Sequence, residues 1–373
     1  MIEKKLQEAL QALVDRGSVA GCTALIYKDG TEFAYAAAGK RDLDLPAAFD
    51  RKTVMRMYSM TKVVTAAAIM KLWEDGALTP ETPVSDFFPV YDNLQICAAD
   101  GSMKKAQTVL RIQHLLTMTS GIPYSWEPGR GGQKAMEIMA HLGTLPDSQR
   151  NTVALAEHLG HCPILFEPGT AYLYGLSADV LSGIAEKVTN MSFEAYLSKT
   201  FFQPLGMTDT SFYLLPHMQP RFAQKYKPGE NGILVPDDGY VGIPVLDNSP
   251  EIHMGGSGLF STIDDFMKFG EMLRRGGMGI LREDTVREMA KNQLPDCIAK
   301  DFIPNNGGYS FGYMSRTLVD PSVAQNGEGI GAFGWSGMAG TDLRIDPVRG
   351  YTIVFGVQKI DCEGAPILQI LKD

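Results

Sequence analysis

Ser59-Met60-Thr61-Lys62, running on through Val63-Val64-Thr65-Ala66-Ala67-Ala68-Ile69-Met70-Lys71-Leu72-Trp73, is the stretch on which the reading of this chain turns. A serine and a lysine three positions apart share one face of an α-helix, so Lys62 can sit beside the Ser59 hydroxyl. With Ser59 as the first helical residue, the unpaired N–H groups and the positive end of the helix dipole favour a developing alkoxide. A serine hydroxyl needs a base at neutral pH, and a lysine serves only if desolvation or nearby positive charge lowers its pKa. The pattern therefore predicts a partly buried site, with Val63, Ala66, Ala67 and Met70 as the core-facing stripe of the helix and Gly76 as its end.

The four-residue pattern occurs again at Ser102-Met103-Lys104-Lys105. That copy follows Asp100-Gly101 and lacks an apolar helical continuation, so it reads as a solvated loop. Working outward from Ser59, Gly21–Lys28 and Thr31–Gly39 flank Asp29-Gly30 and predict a β-hairpin. Gly340–Pro347 and Tyr351–Val357 predict a second hairpin around Pro347-Val348-Arg349-Gly350. An amphipathic helix over residues 1–10 and a terminal helix over Gly364–Leu371 would let both chain ends build one sheet region. Between them, 109–116, 153–159, 178–188 and 262–273 carry helical periodicity. The loops Gly121–Gly132 and Leu215–Glu251 are long enough to be functional.

At 373 residues, two structural regions are expected rather than one core. A net charge of −9 argues against a surface that binds nucleic acid or anionic membrane. No apolar run reaches the roughly 18 residues of a membrane span, and the N-terminus does not read as a signal peptide. The five scattered cysteines suit reduced thiols in a cytoplasm. His158-Leu159-Gly160-His161-Cys162 lacks a second ligand pair, so no metal site is expected. The oligomeric state is not legible.

With Ser59 and Lys62 on a helix after an early hairpin, the chain resembles the serine β-lactamase and penicillin-binding-protein superfamily. Within it, the chain is similar to the class C β-lactamase-like branch that holds family VIII carboxylesterases and D-aminopeptidases. The likeness runs from about Ala20 to Gln358. It is carried in order by Trp73–Leu78, Ile112–Gly121, Phe166–Thr170, Pro204–Thr210, Gly255–Leu259 and Phe333–Gly337. The resemblance implies an α/β (α+β) fold of the β-lactamase/transpeptidase type, an antiparallel sheet flanked by helices plus a mainly helical region. Residues 1–58 and 255–373 would form the sheet region and 59–254 the helical insertion, with the active site at their boundary.

By the same resemblance Tyr174, in Tyr172-Leu173-Tyr174-Gly175-Leu176, takes the place of the catalytic tyrosine that shuttles a proton between Ser59 and the leaving group. Tyr172 is the alternative if the register differs by two, and a buried packing aromatic is the plain structural alternative. A phenol of pKa near 10 works usefully only if a cation such as Lys62 stabilises its phenolate. Leu176 stands where penicillin-recognising members have an asparagine, and it cannot make that residue's amide hydrogen bond. Trp335-Ser336-Gly337 stands for the usual Lys-Thr-Gly on an edge strand. The match implies that the backbone N–H groups of Ser59 and Met338 form an oxyanion hole. Trp335, Ser336, Gly337 and Leu176 are then the candidate substrate contacts. Packing accounts for Trp335 and Leu176 without function, and solvent exposure does the same for Ser336.

There is no G-x-S-x-G elbow, and His114, His141, His217 and His253 lack an acidic partner by position, so a Ser-His-Asp triad cannot be assembled. The expected activity is a serine hydrolase working through an acyl-Ser59 intermediate, a carboxylesterase on small or medium esters, without a cofactor. A D-amino-acid peptidase or amidase, a β-lactamase, an acyltransferase and a noncatalytic penicillin-binding-like sensor share the motif. The expected partner is a small-molecule ester or amide substrate.

Overall fold

The computed structural model describes residues 2–98, 100–237, 252–362 and 367–372. Both expected hairpins are present. Gly21–Lys28 and Thr31–Asp42 pair across Asp29-Gly30, where both residues have positive φ as a tight hairpin turn requires. Asp342–Asp346 pairs with Tyr351–Val357, and the two hairpins lie side by side in register from Cys22↔Val357 to Lys28↔Tyr351. The sheet is antiparallel throughout. Its eight strands run Tyr309–Phe311, Arg316–Leu318, Phe333–Ser336, Asp342–Asp346, Tyr351–Val357, Gly21–Lys28, Thr31–Asp42 and Ala47–Ala48.

Alternation along these strands sends side chains to two separate cores. Cys22, Ala24, Ile26, Phe355 and Val357 pack beneath Leu6, Leu10 and Leu13 of the N-terminal helix Ile2–Asp15 and beside Ile367 of the short helix Ile367–Ile370. Residues 364–366 of the expected terminal helix, and 238–251 of the long loop, lie outside the described residues. Leu25, Leu343 and Val354 face the larger core, which they share with the helix Ile263–Arg274 and the helices of the middle of the chain. These include Ile112–Leu116, Thr152–Leu159 and Ser177–Thr189, close to the expected spans.

The helix Thr61–Glu74 runs through that larger core. It is not amphipathic: every residue from Thr61 to Met70 is buried. A helix apolar on all sides belongs in the interior, and each of Val63, Val64, Ile69 and Met70 contributes about 1.5–3 kcal/mol by leaving water. Its C-terminus is closed as expected by Gly76, whose positive φ lets its N–H reach Trp73. Two further expectations change. Ser102-Met103-Lys104-Lys105 is not a loop, because Met103–Lys105 is a short exposed strand paired with Gln95–Cys97. The helix Arg130–Thr144 begins inside the segment expected to be a loop through Gly132. Among the described residues no helix is long and apolar enough to cross a membrane.

Candidate active site

Ser59 is not the first residue of the α-helix. It sits in the 3₁₀ turn Tyr58–Met60 just before it, and Tyr58 holds a left-handed φ of 46°. Such strain in a non-glycine residue persists only where neighbours impose it. Here Met57 donates to Leu259, and Leu259 donates to the Thr61 hydroxyl. The pairing of Met55–Arg56 with Phe260–Ser261 holds the two segments together just upstream. Those contacts bring Gly255 and Gly256 over the start of the helix.

Lys62 is fully buried, and its Nζ donates to Ser59 Oγ at 3.1 Å, the Tyr124 hydroxyl at 2.9 Å and the Gly256 carbonyl at 2.7 Å. Burial alone would lower its pKa. The opposing attraction of Tyr124, Tyr174 and Asp179, with the hydrogen bond to Tyr124, instead holds it above the ordinary lysine value. The expected lowering of the Lys62 pKa is therefore met by the opposite direction, which favours the ammonium, with Ser59, Tyr124 and Gly256 as acceptors for its three donors.

Tyr124 was not anticipated. It is buried in the segment read only as a long functional loop, and burial pushes its phenol up, against the pull of Lys62. Its nearness to Lys62 comes from a crossing of two chain segments. A Cβ on Gly175 would lie 1.9 Å from the Ile122 carbonyl, so glycine is what permits the contact. Ser120 Oγ to Ser177 Oγ at 2.7 Å and Leu173 N–H to the Met118 carbonyl at 2.8 Å fasten the crossing. The available signal was a tyrosine flanked by proline and tryptophan in that long loop.

The crossing also sets Tyr174 beside Tyr124, ring centroids 5.7 Å apart, with Lys62 Nζ 4.6 Å from the Tyr174 ring centre. The Trp335 indole N–H donates to the Tyr174 hydroxyl at 3.0 Å. Tyr172 lies elsewhere, between Phe302 and Phe311, where burial raises its phenol well above the usual range. Of the two tyrosines considered, Tyr174 is the one against Lys62. Trp335 packs on Tyr174 and edge-on to Phe311, and Trp126 stacks on Tyr124 at 4.0 Å. One side of the site is thus aromatic.

The strand Phe333–Ser336 is internal to the sheet rather than at its edge, but its pairing with Arg316–Leu318 ends at Gly334. Trp335 to Gly337 lie beyond that register. Gly337 packs against the chain just before the Tyr58–Met60 turn, where a Cβ would come within 2.4 Å of the Met57 carbonyl. Met338 follows in the turn closed by Gly340 N–H on the Gly337 carbonyl, its side chain exposed. Two expected substrate contacts are placed differently. The Ser336 hydroxyl is occupied, donating to Asp342 at 2.6 Å and accepting from Arg316 at 2.9 Å. Leu176 is 1% exposed and belongs to the larger core, so packing accounts for it.

His253 and His217 do find acidic partners, Glu186 at 3.0 Å and Asp209 at 3.0 Å. His253 is enclosed by Thr152 and Tyr213 as well, a buried polar network.

The Beta-lactamase family model matches residues 6–359. The chain belongs to that family. Among curated relatives, Rv1367c of Mycobacterium tuberculosis is 28% identical over 94% of this chain and 89% of its own length. Esterase EstB of Burkholderia gladioli is 29% identical over 92% of this chain and 87% of its own. In fold the chain is similar to EstCE1, described as a hydrolase with promiscuous acyltransferase activity. The TM-score is 0.85 at 23% identity, covering 100% of this chain and 98% of that one. The fold is that of the β-lactamase and transpeptidase group, and the chain is a serine hydrolase.

Proposed function

We propose that the protein is a carboxylesterase that hydrolyses small or medium neutral esters through an acyl-Ser59 intermediate. The observation that carries this is the buried Lys62 Nζ bridging Ser59 Oγ, the Tyr124 hydroxyl and the Gly256 carbonyl. Ser59 Oγ attacks the ester carbonyl. Its proton passes to the Tyr174 oxygen as the Tyr174 proton passes to the departing alkoxy group, so the tyrosine is neutral before and after. Lys62 supplies positive charge beside Ser59 Oγ and over the Tyr174 ring, in a dry site where it acts strongly. The Ser59 and Met338 N–H groups receive the carbonyl oxygen, each worth about 3 kcal/mol in the transition state. Water then repeats the sequence on the acyl-enzyme and frees the acid.

Substrate class follows from Trp335. An indole stands where a lysine would meet the carboxylate of a β-lactam or peptide, and Phe311, Tyr174, Tyr124 and Trp126 continue the apolar wall. A neutral ester suits this wall. The resemblance to EstB supports the same reading. Transfer of the acyl group to an alcohol in place of water is the second reading, supported by the similarity to EstCE1. We also place the protein in the cytoplasm, on the buried free thiols Cys22, Cys97 and Cys162. We retain the division into a sheet region (1–58 and 255–373) and a helical insertion (59–254) as our reading of its domains.

The test is turnover of a chain-length series of p-nitrophenyl esters beside a chromogenic cephalosporin and D-alanyl p-nitroanilide, with and without an added alcohol. Turnover confined to esters and lost in Ser59→Ala is expected. Preference for the amide or lactam, or activity retained in Ser59→Ala, would overturn the reading.

A further inference from the structure

Asp179 is a fully buried carboxylate in the first turn of the helix Ser177–Thr189. Its Oδ1 accepts the Gly256 N–H at 3.0 Å, while Oδ2 has no hydrogen-bond partner among the described residues. Gly256 is the residue whose carbonyl receives Lys62 Nζ at 2.7 Å. A Cβ on Gly256 would fall 2.8 Å from Asp179 Oδ2, so only glycine lets the peptide lie between the carboxylate and the ammonium. Gly255, one residue earlier, is held by the Thr65 hydroxyl at 2.7 Å, from the same helix as Lys62.

The titratable groups facing Asp179 are Lys62 from the nucleophile helix and Tyr124 from the crossing segment; the loop at Gly256 brings backbone only. Lys62 feels no other carboxylate of comparable weight. A buried carboxylate with an unsatisfied oxygen is costly to the fold, and groups of this kind gather at functional sites.

We propose that Asp179 is a positioning residue for acyl transfer. Its negative charge is the counter-charge that keeps Lys62 an ammonium, and its bond to the Gly256 amide fixes the carbonyl that aims Nζ at Ser59 and Tyr124. The catalytic half of this statement rests on the esterase reading above; the electrostatic half does not. Burial raises the Asp179 carboxyl to about 6, against the pull of Lys62 and the Gly256 N–H. The working form is the carboxylate, so activity is lost as pH falls through that value.

Asp179→Asn separates the two roles, because the amide oxygen can still accept from Gly256 while the charge is gone. Asp179→Ala removes both. Each variant is checked for folding by thermal melt, then given two measurements between about pH 5 and 10. One is the rate of Ser59 labelling by a fluorophosphonate, with kcat and KM on a p-nitrophenyl ester. The other is the ¹⁵N shift of Lys62 Nζ in lysine-labelled protein, assigned with Lys62→Arg.

In Asp179→Asn, labelling and kcat fall by about 10–100-fold with KM little changed, the acid limb near pH 6 disappears, and Nζ, still an ammonium at about pH 10 in the wild type, loses its proton within the range. Asp179→Ala falls further, and Asp179→Glu regains part of the rate. An Nζ that stays an ammonium across the whole range in Asp179→Asn overturns the counter-charge. Wild-type labelling with an unchanged pH profile, or equal losses in Asn and Ala with the acid limb kept, overturns the positioning role. A wild-type protein inert at Ser59 whose Nζ titration still drops in Asp179→Asn would sink the esterase reading and leave the counter-charge standing.

Discussion

In the proposed mechanism two tyrosines are candidates for the proton work at Ser59, and they are placed differently. Tyr124 is bonded to Lys62, whereas Tyr174 presents its ring to Lys62 and its oxygen to the Trp335 N–H. Tyr174→Phe is expected to lower kcat by about 10²–10⁴-fold, the range of a lost general acid–base group. Tyr124→Phe leaves one Lys62 donor unpaired and is expected to cost less, about tenfold to a hundredfold. Steady-state kinetics of the two variants check the order, and the reverse order would exchange their roles. Trp335→Phe keeps an apolar ring but removes the donor, so kcat should fall while the preference for neutral esters stays.

Asp179 carries a stability consequence with a definite sign. Its folded value is about 6 against an ordinary 3.8, so the folded protein binds that proton more tightly than the unfolded chain. Stability falls as pH rises through that window, and at neutral pH the carboxylate costs roughly 1–3 kcal/mol. Asp179→Asn is therefore expected to melt higher than the wild type at neutral pH, with the difference closing toward pH 4, read by calorimetry across pH. A lower melting temperature at neutral pH would contradict this. At this scale the contact of Lys62 with Ser59 and the nearness of Tyr174 to Lys62 were legible, because a motif of local spacing and a family pattern put those residues together. Tyr124 and the partnership of Asp179 with Lys62 were not, since both arise where distant segments cross.

Among the elements, the hairpins were readable because an Asp-Gly or Arg-Gly turn between apolar runs has one local solution. The helix Arg130–Thr144 was missed at its start. Arg130-Gly131-Gly132 has the composition of a loop, and its apolar stripe of Ala135, Ile138, Met139 and Leu142 appears only later. The helix Thr61–Glu74 was found, but its burial on every side depends on helices that sequence spacing does not place. The crossing at Gly175 is the element most exposed to a single change. A methyl there meets the Ile122 carbonyl, so Gly175→Ala is expected to cost about 1–3 kcal/mol and to lower kcat by moving Tyr124 and Tyr174 together. Denaturant unfolding and kinetics on the same variant check both parts.

Across the whole molecule the sheet separates stability from chemistry. Leu10 packs with Leu6 and Leu13 in the core on the far side of the sheet from Ser59. Leu10→Ala should cost about 2–5 kcal/mol yet leave kcat per folded molecule unchanged. The joining of both chain ends into one sheet was foreseen from the two hairpins. The strands Tyr309–Phe311 and Arg316–Leu318 were not, because three-residue strands carry too little alternation to be read. They convert the expected edge position of Phe333–Ser336 into an internal one that opens only beyond Gly334.

The central claim is that Ser59 carries the acyl group. Rapid acid quench of the protein mixed with excess p-nitrophenyl butyrate, followed by intact and peptide mass spectrometry, tests it directly. The account predicts a transient mass gain of one butyryl group, confined to the peptide holding Ser59 and absent in Ser59→Ala. Turnover without an adduct, or an adduct on another residue, would contradict it.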